Sequence, residues 1–367
     1  MSDHFIRDIE IRNYKLFHEF KAEGFGRVNL IGGKNNVGKT AFMEACYLSQ
    51  SVNTSDLFGR LLEIKTHRDL VNILLSSKSR EDYLRSLINE SIGIEIKLKG
   101  KGGEEFTEEK DSSGNIVYQD YKSWKNGLIK IEQDTKLNIY TKFSRINVEP
   151  PFEFKGEIVN PSYPDQYFIS DLIKMLDTTF DSTKKRFSKN YISPYSNSNQ
   201  ELEELIGQSK LDEKYDLLNK YLDETFGVTS IDIIKNKPML RANGKYIELS
   251  QFGQGIKSFI NYIGSLSLLQ NTQLFIDEIE NGIHYTNFDK LWEIILTISR
   301  EQNVQVFATT HSKECIESYA RVAKRLEDDE IAFVEMGINK YDKPKAIVMD
   351  AERFHRELNV NNEVRGW

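Results

Sequence analysis

The sequence Val28-Asn-Leu-Ile-Gly-Gly-Lys-Asn-Asn-Val-Gly-Lys-Thr40 begins with a short apolar run and continues into a loop that carries three glycines. The apolar run predicts a buried strand, and the residues after the loop, Ala41 to Leu48, predict a helix. This order of strand, glycine loop and helix is the structural context that distinguishes a true motif from a chance match in a turn. The stretch therefore predicts an α/β fold.

The loop fits the pattern G-x-x-x-x-G-K-[ST] at every fixed position. In such a loop the backbone N–H groups point at nucleotide phosphates, and the positive end of the next helix adds to the attraction. We expect Lys39 to place a charge on the β- and γ-phosphate oxygens and Thr40 to coordinate Mg²⁺. A chance match in a glycine-rich turn is the alternative, which the flanking strand and helix disfavour. The residues expected to hold the triphosphate are Gly33, Lys34, Asn35, Asn36, Val37, Gly38, Lys39 and Thr40.

A second apolar run, Gln273 to Ile276, ends in two adjacent acids, Asp277 and Glu278. A strand buried in a parallel sheet would bring both to its carboxyl edge, where ligands bind in open α/β folds. We expect Asp277 to hold the Mg²⁺ hydration shell and Glu278 to orient and deprotonate the attacking water. Such a pair is common by itself, but together with the phosphate loop it is a specific signal.

A third apolar run, Val304 to Ala308, ends in Thr309-Thr310-His311. A single histidine most often caps or packs against a neighbouring element. Because His311 follows a strand downstream of the acidic strand, we expect it to sense the γ-phosphate by hydrogen bonding. The sequence has no pattern typical of a zinc site, a Cys–His pair or a serine triad.

The remaining pattern predicts three segments, 1–160, 161–230 and 231–367. Alternating residues before Val28 predict antiparallel strands, residues 50–90 a helical stretch, and residues 92–143 a β-meander. Prolines at 150, 151, 161 and 164 then mark a boundary, after which residues 165–226 have a helical pattern. The last segment predicts further strands and helices, which are the runs 231–234, 239–240, 246–249, 256–269, 288–298, 331–334 and 346–349, followed by a short helix.

The charge balance excludes a general attraction to phosphate backbones or anionic lipid. The 367 residues include 49 Lys plus Arg against 56 Asp plus Glu, a formal charge of -7. DNA binding would therefore need a local basic patch. The two cysteines cannot form a disulfide framework, and no signal peptide or membrane helix is predicted, so we expect a cytoplasmic protein. The candidate basic groups are Lys122, Lys125 and Lys130, and Lys184, Lys185, Arg186 and Lys189.

The order of motifs resembles the ABC-type, SMC/RecF-like ATPases, and within them the OLD-like AAA-type ATPases. The resemblance rests on an N-terminal Ile-Arg-Asn-Tyr strand, the phosphate loop, the turn Ser250-Gln-Phe-Gly-Gln-Gly255, the run Asp277-Glu-Ile-Glu-Asn-Gly-Ile-His284 and Thr-Thr-His-Ser. It covers residues 1–50 and 245–367. The fold that it implies is an ABC-type P-loop ATPase head with an N-terminal antiparallel β-lobe, a parallel-sheet core and a helical insert.

The resemblance also implies a homodimer in which two ATP molecules, each with Mg²⁺, lie between two heads. Ser250, Gly253 and Gly255 would then touch the γ-phosphate bound by the partner, through a hydroxyl and backbone N–H groups. Gln251 and Phe252 differ from the residues that the family usually carries in this turn, which is called the signature turn. Which backbone N–H groups would contact the phosphate therefore stays open. For the Gln-bearing loop of the family, the candidates in this sequence are Gln133 and Gln166. Whether the dimer assembles into a higher oligomer stays open.

The function implied is that of an ATP-driven switch, the sensor or regulatory subunit of an antiphage defence system with a separate effector such as a nuclease. Residues 165–226 are too few for a long coiled-coil arm, and residues 312–367 are too few for a nuclease domain. A RecF-like ATPase that grips DNA during repair is the alternative. A scaffold without turnover is a weaker one, which intact Lys39, Asp277 and Glu278 disfavour.

Overall fold

The computed structural model describes residues 5–50, 190–194, 199–235 and 237–359, together with residues 60, 63 and 64. Between residues 95 and 142 it describes the backbone of five strands. Most of the predicted helical stretch 50–90, the proline boundary and both candidate glutamines lie outside the described residues. So do Lys125 and the basic group 184–189.

The described elements follow the chain in this order: β1 (Asp8–Tyr14), β2 (Phe17–Glu23), β3 (Val28–Gly33), α1 (Lys39–Leu48), β4 (Glu95–Lys99), β5 (Glu104–Lys110), β6 (Ile116–Ser123), β7 (Asn126–Ile131), β8 (Ile139–Lys142), β9 (Tyr191–Ile192), α2 (Asn199–Leu211), α3 (Tyr215–Phe226), β10 (Val228–Ile234), β11 (Lys237–Ala242), β12 (Lys245–Glu248), α4 (Gln254–Leu268), β13 (Gln273–Ile276), α5 (Phe288–Glu301), β14 (Gln305–Thr309), α6 (Lys313–Arg325), β15 (Ile331–Ile338), β16 (Pro344–Asp350) and α7 (Ala351–Asn359). Short 3₁₀ turns precede α4 and α5.

The core sheet has six strands in the spatial order β16, β15, β3, β14, β13, β9. All neighbours in it pair in parallel except β15 and β16, which form an antiparallel hairpin. Strands β3, β13 and β14 are buried along their whole length, as expected for strands covered on both faces. The predicted α/β fold with a parallel-sheet core is confirmed.

Aromatic side chains join the helices to this sheet. Trp292 of α5 packs against Tyr319 of α6 with ring centroids 4.6 Å apart, and both are fully buried. The hydroxyl of Tyr319 donates to the carbonyl oxygen of Val28 at 2.9 Å. Because a buried hydroxyl needs a partner, this bond holds α6 against the beginning of β3.

A buried ion cluster also surrounds the beginning of β3. The guanidinium of Arg27, 2% exposed, pairs with Asp328 and donates to the Ser299 hydroxyl and to the carbonyl oxygen of Leu296. It also contacts Glu330 at 3.2 Å. Since the charge is paired and several guanidinium protons are bonded, the desolvation of Arg27 is offset. The amino end of β3 is therefore fixed from several directions.

The other sheets are antiparallel. A five-stranded sheet has the order β2, β1, β4, β7, β8, strands β5 and β6 pair separately, and β10, β11 and β12 form a third sheet. In β2, Phe17, Phe20 and Ala22 are buried between exposed residues, which is the predicted pattern of a strand with one solvated face. Within the region predicted to be a meander, the structure has one strand that the sequence prediction missed, which is β5.

Two further elements differ from the predictions. The short strand β9 lies inside the stretch that was predicted to be helical, and it pairs with β13 at the edge of the core sheet. Helix α6, between His311 and β15, was not predicted at all. Within the described ranges, no helix combines the length and the apolar character that crossing a bilayer requires.

The contacts divide the chain into two compact units. The first comprises residues 1–5, 23–43 and 185–367, and the second comprises residues 6–22 and 44–184. Helices α2 and α3, which belong to the predicted insert, lie in the first unit together with the core sheet. The division at residues 160 and 230 stays a prediction.

Candidate active site

Polar residues follow the carboxyl ends of four parallel strands of the core sheet. The phosphate loop follows β3, Asp277 follows β13, His311 follows β14, and Ser193 follows β9. Because parallel strands end at the same edge, the structure brings the predicted loop, acidic pair and histidine together. Their chemical roles stay predictions.

The phosphate loop turns at residues whose backbone is left-handed. Asn36 has φ 62° and Gly38 has φ 97°, and helix α1 begins directly afterwards at Lys39. Asparagine adopts this conformation more readily than most residues, which explains why Asn36 stands at that place. At Gly33 a Cβ atom would lie 2.3 Å from the carbonyl oxygen of Met336, so this position requires glycine.

The ammonium group of Lys39 is held by three acceptors. It donates to the carbonyl oxygens of Gly33 and Lys34 at 2.9 and 2.8 Å, and it lies 3.2 Å from Nδ1 of His311. The residue is 4% exposed. Burial lowers the pKa of Lys39 to about 8, against the opposite effect of Glu280, Asp277 and Glu278. The amine is therefore mostly charged at neutral pH.

The contact with Lys39 fixes the tautomer of His311. An ammonium group donates only, so Nδ1 of the ring must be the acceptor and the ring proton lies on Nε2. Burial, and secondly the charge of Lys39, lower the pKa of His311. A neutral ring with a donor at Nε2 is suited to bonding a phosphate oxygen.

Thr40 and Asp277 bring together the oxygen atoms expected to hold Mg²⁺. The Thr40 hydroxyl donates to Oδ1 of Asp277 at 3.1 Å, and the Thr309 hydroxyl donates to the same oxygen at 2.5 Å. Hydroxyl and carboxylate oxygens are the ligands that Mg²⁺ prefers, so this pair fits the ion. Among the described residues no group of three His, Cys, Asp or Glu converges on a metal position. Phosphate oxygens and water would supply the other ligands.

Glu278 has a left-handed backbone, with φ 52°. Its N–H donates to the Thr309 hydroxyl at 2.8 Å, so the same threonine contacts both acids. A non-glycine residue in this conformation costs free energy, and such residues concentrate at functional sites.

The signature turn lies at the beginning of α4. Gly253 is the N-cap residue, and no side chain caps the first N–H groups of the helix. Ser250 is exposed, and its hydroxyl donates to Oε1 of Glu248 at 2.9 Å. A Cβ at Gly253 would meet nothing within 4 Å, whereas a Cβ at Gly255 would lie 2.3 Å from the carbonyl oxygen of Gly282. Gly255 is therefore required by packing, and Gly253 is not.

Replacing Gly282 with alanine should destabilise the fold more than the same change at Gly244. Both glycines have φ +75°, but a Cβ at Gly282 would lie 2.9 Å from Cβ of Gln254, whereas Gly244 has open space. The shared backbone strain should cost about 1 kcal/mol in each variant. Overpacking should cost Gly282→Ala about 1–3 kcal/mol more. Urea unfolding of the two variants measures the difference, and equal losses would contradict the close contact.

Three residues near the site were missed by the sequence prediction. Thr309 bonds both acids, Glu280 accepts a hydrogen bond from the backbone N–H of His311 at 2.6 Å, and buried Ser193 lies beside Asp277 where β9 ends. Thr309 and Glu280 stand inside the motifs that predicted the site. Ser193 follows a strand of two residues, which is too short to show a periodic pattern.

The chain is similar to known proteins over most of its length. Residues 28–317 match the family model described as "AAA domain, putative AbiEii toxin, Type IV TA system". The "ATP/GTP phosphatase" of Helicobacter pylori is 23% identical over 347 residues, covering 87% of this chain and 88% of the relative. The matched family span runs from β3 into α6, and it includes the phosphate loop, both acids and His311.

Two solved structures also resemble the chain at low identity. The SMC head domain from Thermotoga maritima is 12% identical, with a TM-score of 0.45 over 94% of this chain and 98% of that one. The SMC head bound to the C-winged helix domain of ScpA is 11% identical, with a TM-score of 0.48 over 96% of this chain and 99% of that one.

Proposed function

Because the chain belongs to this family of AAA domains, it is an ATPase, and we propose that it works as a homodimeric switch that hydrolyses ATP slowly. The observation that carries the proposal is the bonded cluster of Lys39, Thr40, Asp277 and His311 at the carboxyl edge of the core sheet. It consists of two contacts, one between the ammonium group of Lys39 and the imidazole of His311, and one between the hydroxyl of Thr40 and the carboxylate of Asp277. These groups match the charges and oxygen atoms of a triphosphate with Mg²⁺.

In the proposed reaction each group has one task. The loop N–H groups and Lys39 bind the β- and γ-phosphates, which requires Lys39 to exchange acceptors in the protein for phosphate oxygens. Thr40 and Asp277 would hold Mg²⁺, which would neutralise part of the phosphate charge when bound. Glu278 orients a water molecule and takes its proton, while Nε2–H of His311 donates to the γ-phosphate.

The homodimer is supported by the beginning of α4. Its first N–H groups have no side-chain cap, Ser250 and Gly253 are exposed, and the positive end of a 15-residue helix attracts an anion. The γ-phosphate held by a second copy is such an anion. Binding of ATP would then add contacts that exist only in the closed dimer, which shifts the equilibrium toward closure.

Ser250→Arg is expected to block ATP-dependent dimerisation, because it places bulk and charge where the second head would approach. Light scattering with and without Mg-ATP measures the effect. Gln270→Arg is the matched control, since it adds the same charge just beyond the other end of α4 and should leave dimerisation unchanged. An ATP-induced dimer of the Ser250 variant would remove this turn from the interface.

We further propose that the dimer is the cytoplasmic sensor or regulatory subunit of an antiphage defence system with a separate effector, such as a nuclease. The support is the resemblance to OLD-like ATPases together with the family description, which names a toxin. The first test is the gene neighbourhood, where an adjacent nuclease gene favours defence and recombination genes favour repair. A pull-down in the presence of ATP then identifies the effector and reveals any higher oligomer.

A RecF-like DNA-binding role is the second candidate, and one described surface favours it. The tip of the β15–β16 hairpin exposes Lys340, Lys343 and Lys345 beside Tyr341, whose surface is 70% exposed. Basic and aromatic side chains together suit a phosphate backbone and an unstacked base. DNA affinity that falls steeply with salt supports this role, and the lack of binding at low salt contradicts it.

A further inference from the structure

The turn after β13, Asp277 to Ile283, contacts the segments around it. Oε1 of Glu280 accepts from the backbone N–H of His311, and the side-chain amide of Asn281 donates to the carbonyl oxygen of Pro194 at 3.3 Å. The carbonyl of Gly282 lies against Gly255 at the beginning of α4. The turn therefore joins the histidine, the end of β9 and the signature turn.

The turn is also held internally. The N–H of Asn281 donates to the carbonyl oxygen of Glu278 at 2.8 Å, and that of Ile283 donates to the carbonyl oxygen of Glu280 at 3.0 Å. The N–H of Ile279 bonds the carbonyl oxygen of Thr309 at 3.0 Å, which fixes the turn to the end of β14. Glu280 thus projects from a backbone whose position is set on both sides.

The position of the Glu280 carboxylate is unfavourable in free energy for one of its two oxygen atoms. One oxygen accepts the 2.6 Å bond from His311, while the other, Oε2, is buried and has no hydrogen-bond partner. A buried polar atom without a partner is unfavourable by more than a typical hydrogen bond contributes. The single bond to His311 is therefore the feature of this side chain that the site uses.

The bond to Glu280 acts where His311 leaves the sheet. The N–H of Thr310, the preceding residue, donates to the carbonyl oxygen of Ile31, and the hydroxyl of Ser312, the following residue, caps α6. His311 lies between these two anchors, and its own N–H is held by Glu280. The position of its backbone sets the distance of 3.2 Å between its ring and Lys39.

We propose that Glu280 is a positioning residue for ATP hydrolysis, acting through the backbone N–H of His311 to hold the imidazole at the phosphate edge. This inference rests on the proposed function and adds a residue to it. Glu280 supplies an acceptor oxygen at a fixed reach, and it neither takes nor gives a proton in the reaction. The length of its side chain therefore matters more than its charge.

Two substitutions separate reach from charge. Glu280→Gln keeps an oxygen acceptor at the same distance and loses the charge, whereas Glu280→Asp keeps the charge and shortens the side chain by one methylene. We expect the Gln variant to keep kcat within about fivefold of the wild type. The Asp variant should lose about tenfold or more, and Glu280→Ala about 100-fold, the scale of a misplaced catalytic group. KM for ATP should stay within about threefold in the Asp variant, which keeps the charge near Lys39. The Gln and Ala variants lose the charge that raises the pKa of Lys39, so their KM should rise, and kcat is therefore compared at saturating ATP.

The readouts are steady-state phosphate release, ATP binding and thermal unfolding. ATP binding gives the folded fraction, so a variant that is merely unstable is corrected for its loss. Glu317→Ala, an exposed substitution on α6 six residues after His311 whose carboxylate pairs with Lys313, is the matched control with unchanged kcat. If the alanine variant does not fold, the order of the Gln and Asp variants still decides.

Each outcome has a defined meaning. A Gln variant with a higher kcat at saturating ATP than the Asp variant supports the proposal. An Asp variant faster than the Gln variant means that the charge of Glu280 acts, which overturns the proposal, and so does an alanine variant with wild-type kcat. Failure of the wild-type protein to hydrolyse ATP would instead overturn the proposed function.

Discussion

Lys39→Ala is expected to abolish ATP binding at concentrations that saturate the wild-type protein. The ammonium group is the buried charge of the phosphate loop, and alanine also leaves the carbonyl oxygens of Gly33 and Lys34 without this donor. In the proposed complex the ammonium group exchanges these carbonyl oxygens for the β- and γ-phosphate oxygens, so the variant loses charge-assisted bonds to the phosphates, a larger loss than that of one neutral hydrogen bond. Calorimetric titration with Mg-ATP measures the affinity.

The control for this variant is Lys313→Ala. Lys313 lies at the beginning of α6, two residues after His311, and its side chain is 57% exposed in an ion pair with Glu317. Exposed ion pairs contribute little, so this variant should bind ATP as the wild type does. Micromolar affinity retained by the Lys39 variant would mean that the loop does not bind the triphosphate.

Glu278→Gln is expected to keep ATP affinity and to slow hydrolysis by about 100-fold or more, the scale of losing a general base. The amide has the same shape and tolerates the same left-handed backbone, so the N–H bond to Thr309 should persist. The amide cannot take the proton of the attacking water. Phosphate release at saturating ATP measures the rate, and calorimetry measures the affinity.

Glu301→Gln, an exposed substitution at the end of α5, is the matched control and should hydrolyse ATP normally. Unchanged turnover in the Glu278 variant would exclude this residue as the base. The Glu278 variant should also trap the ATP-bound dimer, because contacts that depend on the γ-phosphate persist while hydrolysis is slow.

The elements predicted correctly are those whose pattern is local. Strand β13 is a continuous apolar run that ends in Asp277 and Glu278, so both the strand and the position of the acids at its end follow from neighbouring residues. The same holds for β3 and the loop after it. Contiguous motifs of this kind made the phosphate loop, the acidic pair and His311 predictable as one group.

The elements that were missed depend on tertiary contacts or have atypical composition. Strand β5 carries four glutamates, which are unfavourable in strands, and β9 has only two residues, whose strand pairing is with distant β13. Glu280 meets His311 across 31 residues of sequence, because β13 and β14 are neighbours in the sheet. A pattern of neighbouring residues cannot reveal a contact between residues so far apart in the sequence.

The glycines of the signature turn illustrate the same limit. The sequence does not distinguish the roles of Gly253 and Gly255, since both lie near the beginning of a predicted helix. In the structure, Gly255 leaves room for the carbonyl of Gly282, whereas Gly253 has open space. Packing therefore accounts for Gly255, whereas Gly253 would be accounted for by the proposed contact with a second copy of the chain.

The ion cluster at Arg27 determines where the protein can respond to phosphate. It clamps the amino end of β3, while Lys39 lies just beyond the carboxyl end of the same strand. Strand β3 is buried along its length and pairs in parallel with β14 and β15, and core strands of this kind belong to the most stable parts of a protein. Any movement that accompanies the proposed switch is therefore expected in the loops at the carboxyl end of β3, while the sheet beneath them keeps its position.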